Sequence, residues 1–225
     1  MFRRWRIFRP NRVERRFLAR LELEGSTIVD VGARHGDMTL LFAKAVGPVG
    51  RVIAYEPHPT ACKSLLRRVA GAPNVSVRQL ALADAPGELA FAYPRRRAER
   101  GLGSAHPGVR DELLSRGAEP ATLTVTTLDA EVAAGHVPPP TLVKIDVEGL
   151  ELAVIRGMER TLAEHSPDLH IELHGYDAVA GECEILVEAL EAHGYRTRHV
   201  ETDRPVTRSS VHEAIPGHVY AQRLP

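Results

Sequence analysis

Apolar positions along the chain fall into two alternating rhythms. "TIVDVGA" at 27–33, "RVIAYEP" at 51–57 and "NVSVRQLAL" at 74–82 are short β-branched runs, the pattern of strands buried on both faces. Between them, "DMTLLFAKAVG" puts Met38, Leu41, Phe42 and Ala45 on one helical face, opened by Asp37 and closed by Gly47-Pro48. "PTACKSLLRRVAG" does the same with Ala61, Leu65, Leu66 and Val69. Ahead of both, Val13, Phe17, Leu18 and Leu21 recur at helical spacing and predict a helix over 11–24, stopped by Gly25. Strand–helix–strand–helix–strand predicts a parallel sheet with right-handed crossovers.

The rhythm changes in the middle. "ELAFAYP" and "TLTVTTLD" alternate like strands that face solvent on one side. The segment 95–120 between them is rich in Arg, Gly and Pro and predicts an inserted loop with a short helix over 109–116. Such a loop is a lid or binding segment, or else a surface excursion. Alternation then resumes. "PPP" at 138–140 leads stiffly into the strand "TLVKIDVEG". A helix "LELAVIRGMERTLAEH", a strand "DLHIELHG" and a helix "DAVAGECEILVEALEAHG" follow. "YRTRHVE" and "HVYAQRL" read as two last strands, the second an edge hairpin. The predicted fold is α/β: a doubly wound, mostly parallel sheet with an insertion between its third and fourth core strands. Residues 1–24 read as a basic leader and helix, and 25–225 as one domain.

Composition narrows the partners. Lys plus Arg is 29 and Asp plus Glu is 29, so no net charge draws the chain to nucleic acid or anionic membrane. The run Arg95-Arg96-Arg97 is too small a patch to change that, and reads as a solvated face or a contact for an anionic substrate. Two cysteines far apart, Cys62 and Cys183, make no disulfide framework and no zinc pattern, which points to reduced thiols in the cytoplasm. No apolar run is long enough to span a bilayer. The Arg-rich start lacks an apolar core of the secretory type, and reads as a solvated leader or as a basic amphipathic contact segment.

The candidate chemistry sits at strand ends, where ligands bind doubly wound sheets. The first strand ends in Asp30-Val31-Gly32. Gly32 permits a tight turn and a close ligand, and Gly36 permits close packing at the helix start. The glycines follow Asp-x-Gly-x-x-x-Gly rather than the Gly-x-Gly-x-x-Gly of dinucleotide binders. Asp30, Ala33, Arg34, His35 and Asp37 crowd this turn, and its acids suit a cationic ligand such as S-adenosylmethionine. The second strand ends in Glu56-Pro57, at the spacing of a ribose-hydroxyl acceptor. The third places Leu82 and Asp84 to border an adenine. Asp30 is otherwise a strand-end helper of the glycine loop, and Glu56 an exposed loop acid. Lys144, Asp146 and Glu148 end the "TLVKIDVEG" strand, with the two acids on one side by period-two geometry. Paired acids there either bind something or stabilise the loop and the next helix start.

In order, "IVDVGARHGDMT", "VIAYEPHP", "NVSVRQLALADAPGEL", "TTLD" and "LVKIDVEGLELAVIRGMERTL" resemble the FkbM-type S-adenosylmethionine-dependent methyltransferases over 27–172. The family usually carries Asn where Arg34 stands. The resemblance implies a seven-stranded class I methyltransferase sheet. It also implies methyl transfer to a hydroxyl of a sugar or natural product, so the expected partner is a small-molecule or glycan acceptor. Asp30, Gly32 and Gly36 would line the methionine part and Glu56 would hold the ribose. Gly103-Ser104 looks like a family loop that covers the site, or is a flexible turn.

An alcohol is a poor nucleophile, so a base or a metal should assist. The candidates are Asp146, Glu148, Glu172 and His174, the last two on one side of "DLHIELHG" with His170 deeper. Carboxylates could instead hold a divalent cation, though no tight ligand cluster is legible. Three other readings compete: a non-catalytic cofactor-binding module, a dinucleotide-dependent oxidoreductase, and a nucleic-acid methyltransferase. The missing Gly-x-Gly-x-x-Gly opposes the second, and zero net charge and the absence of an Asn/Asp-Pro-Pro-aromatic element oppose the third.

Overall fold

The computed structural model describes residues 12–94, 103–176 and 179–223. Its central sheet is built from β1 (Thr27–Val31), β2 (Arg51–Tyr55), β3 (Val75–Arg78), β7 (Leu142–Ile145), β8 (Asp168–Leu173), β9 (Tyr195–His199), β10 (Pro205–Val206) and β11 (Gly217–Arg223). The spatial order is β10-β9-β11-β8-β7-β1-β2-β3. Strands β3, β2, β1, β7 and β8 run parallel, and β11 is antiparallel to both β8 and β9. The chain leaves β1 toward β2 and β3, then returns to β7 on the other side of β1. That reversal opens the crevice at the carboxyl ends of β1 and β7.

Helices cover the sheet: α1 (Arg12–Leu18), α2 (Asp37–Ala45), α3 (Pro59–Val69), α5 (Leu128–Ala133), α6 (Glu151–Arg156), α7 (Glu159–His165) and α8 (Ala180–Ala192). Strands β1, β2 and β7 are buried over nearly their whole length, which is why each reads as an unbroken apolar run. A second sheet, in the order β4-β6-β5, joins β4 (Ala81–Leu82), β5 (Gly87–Tyr93) and β6 (Glu119–Thr126). Helix α4 (Pro107–Ser115) lies in the insertion, close to the predicted short helix. The Arg-rich leader and Arg95-Arg96-Arg97 lie outside the described residues.

Several expectations are corrected. The first helix ends at Leu18 rather than at residue 24: tight turns follow, and Leu23 tucks into the core instead. Val13 faces solvent. On α2, Ala43 is buried and Ala45 exposed; on α3, Cys62 takes the inward place expected of Leu66, which is 52% exposed. The third apolar run is two strands, because the chain leaves the main sheet after Arg78 and Ala81–Leu82 pair with Val125–Thr126. The helix over 150–165 is two helices, broken where Gly157 passes so close to β4 that a Cβ would lie 1.9 Å from the Ala83 carbonyl oxygen. The sheet has an eighth strand, the two-residue β10. The last strand is internal, between β8 and β9, because its residues 219–221 are buried on both faces.

Candidate active site

Two glycine-dependent contacts shape the crevice. Gly32 has φ +78°, and a Cβ there would lie 1.8 Å from the Asp146 carbonyl oxygen. The turns after β1 and β7 therefore touch, and only glycine fits between them. Gly36 has φ +83° and caps α2; a Cβ would meet Leu65 at 2.6 Å, so its work is helix packing.

Glu56 closes the end of β2 and is 7% exposed. Its Oε2 accepts the Arg34 N–H and its Oε1 the His58 N–H, both at 2.8 Å. Burial pushes its carboxyl up to about 7, against the lowering effect of those two hydrogen bonds. Each oxygen keeps a second lone pair for a ligand. Glu56, Pro57, His58, Leu80, Leu82 and Phe91 line an open cleft at the ends of the strands. Gly32, Arg34, Asp146 and Glu148 line it as well, together with Gly103 and Ala105 of the insertion. Ser104 is fully buried, and its hydroxyl donates to the Glu148 carbonyl at 2.6 Å, docking the inserted segment onto the turn after β7.

A second, polar recess adjoins at the glycine turn. Gly32, Arg34 and Asp146 belong to both spaces, and Ala33, His35, Asp37, Glu14, Glu172 and His218 belong to the recess. Asp30 lies beneath it, fully buried: its Oδ2 accepts from Thr39 Oγ1 at 2.6 Å and its Oδ1 is 3.5 Å from Lys144 Nζ. Lys144 also donates to the Gly32 carbonyl at 3.2 Å and to Asp146 Oδ2 at 3.1 Å. Burial opposes the charge of Lys144, but Asp146 and Asp30 outweigh it and raise its pKa. Burial likewise works against Asp146, but Lys144 and His174 hold its carboxyl below the usual range. Asp84 is exposed and lies apart from the cleft lining.

The remaining acids form a third group. Strand β7 ends at Ile145, so Asp146 and Glu148 are not alternate strand residues, and Glu148 lies in the short connection between β7 and α6. Glu148 sits at φ +55°, the left-handed region, which aims its carboxylate toward His174 and Tyr176. His174 Nε2 is 3.3 Å from Glu148 Oε2 and 3.6 Å from Asp146 Oδ1, and His174 Nδ1 is 3.0 Å from Glu151 Oε1. Glu151 Oε1 also accepts the Val147 and Gly149 N–H groups at 3.2 Å, which fixes the turn. Burial disfavours a charge on His174, but Glu151 and Glu148 raise its pKa well above the ordinary value. Burial pushes the Glu148 carboxyl up to about 7, with His174 opposing. Tyr176, whose ring stacks on His174 at 5.6 Å, donates to Glu148. Glu172 bridges outward, 3.9 Å from His174 and 3.6 Å from His218.

Asp146, Glu148 and His174 each offer a ligand atom within 4.8 Å of the others, a tighter group than the sequence made legible. Lys144 donates to Asp146 and Tyr176 donates to Glu148, so both carboxylates already have partners within the fold. Tyr176, Glu151 and His218 escaped the sequence reading. Tyr176 lies two residues past His174, but nothing in its neighbourhood marked it as a partner of Glu148.

A sequence model of the Methyltransferase FkbM domain matches residues 30–197. The chain belongs to the FkbM methyltransferase family. It is 18% identical to an FkbM methyltransferase from Methylobacillus flagellatus, over 90% of this chain and 45% of that one, with TM-score 0.57. This chain thus spans about half the length of that protein. An rRNA methylase from Streptococcus thermophilus shares the fold at 16% identity and TM-score 0.53, over 98% of this chain and 99% of that one. A SAM-dependent methyltransferase from Aquifex aeolicus does so at 18% identity and TM-score 0.51, over 95% and 90%. No curated protein matches the chain. The cofactor of the FkbM family is S-adenosylmethionine, and the crevice fits it. Glu56 presents free lone pairs at the cleft, and Leu80, Leu82 and Phe91 offer an apolar wall for a base. No helix among the described residues is long and apolar enough to cross a membrane.

Proposed function

We propose that the chain is an O-methyltransferase acting on a hydroxyl of a sugar or small natural product, with Glu148 as the base. The observation that carries this is the Glu148–Tyr176–His174 group beside the cleft. S-adenosylmethionine supplies an electrophilic methyl group on a sulfonium. Glu56 would hold the ribose hydroxyls, Gly32 and Asp146 the sulfur end, and Leu82 the edge of the adenine.

The four candidate bases separate by environment. His174 sits among Glu151, Glu148 and Asp146, which favour its charged form and make it a poor proton acceptor; it orients Glu148 and Asp146. Asp146 is held ionised by Lys144 and is a weak base suited to a neighbouring positive charge. Glu172 lies farther out, toward His218. Glu148, at about 7, sits where a general base works best near neutral pH. The Tyr176 hydroxyl fixes one of its oxygens and leaves the other for the acceptor hydroxyl.

The test supplies labelled S-adenosylmethionine with a panel of sugars and hydroxylated natural products, and locates the transferred methyl by mass spectrometry and NMR. An ether methyl, formed by wild type and reduced about 100-fold or more by Glu148→Gln, supports the reading. A methyl on nitrogen or carbon, or an undiminished Glu148→Gln variant, rejects it.

A further inference from the structure

Arg34 differs from the other cations at the crevice. Lys144 is committed to Asp146, Asp30 and the Gly32 carbonyl. His218 is committed to Glu201 at 2.6 Å, with Glu172 at 3.6 Å and Glu14 at 3.7 Å. The Arg34 guanidinium pairs with no carboxylate among the described residues, and its Nε is buried without an acceptor there. Its backbone lies at φ +50°, which disfavours a long side chain. The structure holds it there by the Arg34 N–H bond to Glu56 Oε2. A strained backbone and an unpaired buried N–H both work against the unliganded fold. Together, in a residue that lines both the cleft and the recess, they point to a ligand group that completes the guanidinium.

Building on the cofactor reading above, we propose that Arg34 receives the α-carboxylate at the amino-acid end of S-adenosylmethionine. With the ribose at Glu56, the amino-acid end passes the Gly32 turn and enters the recess. There the ligand presents one ammonium and one carboxylate. Among the acids of the recess, Asp37 is held by Arg68 and Asp146 by Lys144, which leaves Glu14 and Glu172, beside His218, for the ammonium. For the carboxylate it offers Arg34, because Lys144 and His218 already have carboxylate partners. A guanidinium matches a carboxylate with two parallel N–H donors, which a lysine at this position would not reproduce.

Two ligands isolate this contact. S-adenosylhomocysteine carries the amino-acid end, and 5′-methylthioadenosine keeps the adenosyl part without it. Calorimetric titration of the full chain, with no acceptor present, compares wild type with Arg34→Ala and Arg34→Gly. Both variants should weaken S-adenosylhomocysteine about 30-fold and change methylthioadenosine less than about twofold. Arg34→Gly also relieves the positive φ and should raise the melting temperature, which separates a lost contact from a damaged fold. Equal weakening of both ligands would mean that Arg34 acts through the Glu56 turn, and would overturn the assignment. Unchanged S-adenosylhomocysteine binding would overturn it too, and move the anion to the acceptor. A wild-type chain that binds neither ligand would remove the cofactor reading itself.

Discussion

If Glu56 receives the ribose as proposed, cofactor binding is coupled to a proton. Its carboxyl is pushed up to about 7 by burial, from an ordinary value of 4.5. Ribose hydroxyls donate to a carboxylate and favour its charged form, so binding should return the group toward its ordinary range. The full return corresponds to about 3.4 kcal/mol, or about 300-fold in affinity, as an upper bound. S-adenosylhomocysteine affinity should therefore be flat above about pH 7.5 and fall toward tenfold per pH unit as pH drops below about 7. Calorimetry in buffers of different ionisation enthalpy should record close to one proton released per ligand near pH 6 and almost none near pH 8.5. Glu56→Gln should bind more weakly at pH 8 and lose the dependence. Glu148 titrates in the same range, so Glu148→Gln serves as the control and should keep it. A pH dependence that survives in Glu56→Gln and disappears in Glu148→Gln would refute the reasoning.

Other predictions use the same geometry. The raised Glu56 pKa gives the unliganded protein stability that is full below about pH 4.5 and lost as pH rises through about 7. Denaturant titrations across that window should show a smaller decline for Glu56→Gln. Gly32→Ala must move backbone 1.8 Å from its Cβ, at φ +78°, and should cost about 3 kcal/mol or more in urea unfolding. The Tyr176 hydrogen bond lowers the Glu148 pKa, so Tyr176→Phe should move the acidic limb of the rate profile to higher pH while leaving S-adenosylhomocysteine affinity unchanged. Gly157→Ala, with a Cβ 1.9 Å from the Ala83 carbonyl oxygen, should destabilise the fold without altering that profile.

The sheet was legible where burial on both faces writes an unbroken apolar run, as in Ile28–Val31 and Leu142–Ile145. It was misread where a distant partner decides. Ala81 and Leu82 leave the main sheet because Val125 and Thr126 pair with them, and no local pattern records that pairing. Gly157 reads as a tolerable helix residue until its approach to Ala83 is seen. Leu66 and Cys62 exchange places because the helix face is set by packing, not by which residue is more apolar. Glu56 and Asp146 could be placed at strand ends by counting from the glycines. The left-handed turn at Glu148 and its bond to Tyr176 could not, since both depend on how β8 delivers His174 beside the turn.

The cofactor is the claim on which the rest depends. Separate calorimetric titrations of the chain with S-adenosylmethionine and with NAD test it most directly, with Glu56→Ala as the control. The account predicts binding of S-adenosylmethionine alone, weakened by the substitution. Well-folded protein that ignores S-adenosylmethionine, or that binds NAD in its place, would contradict it.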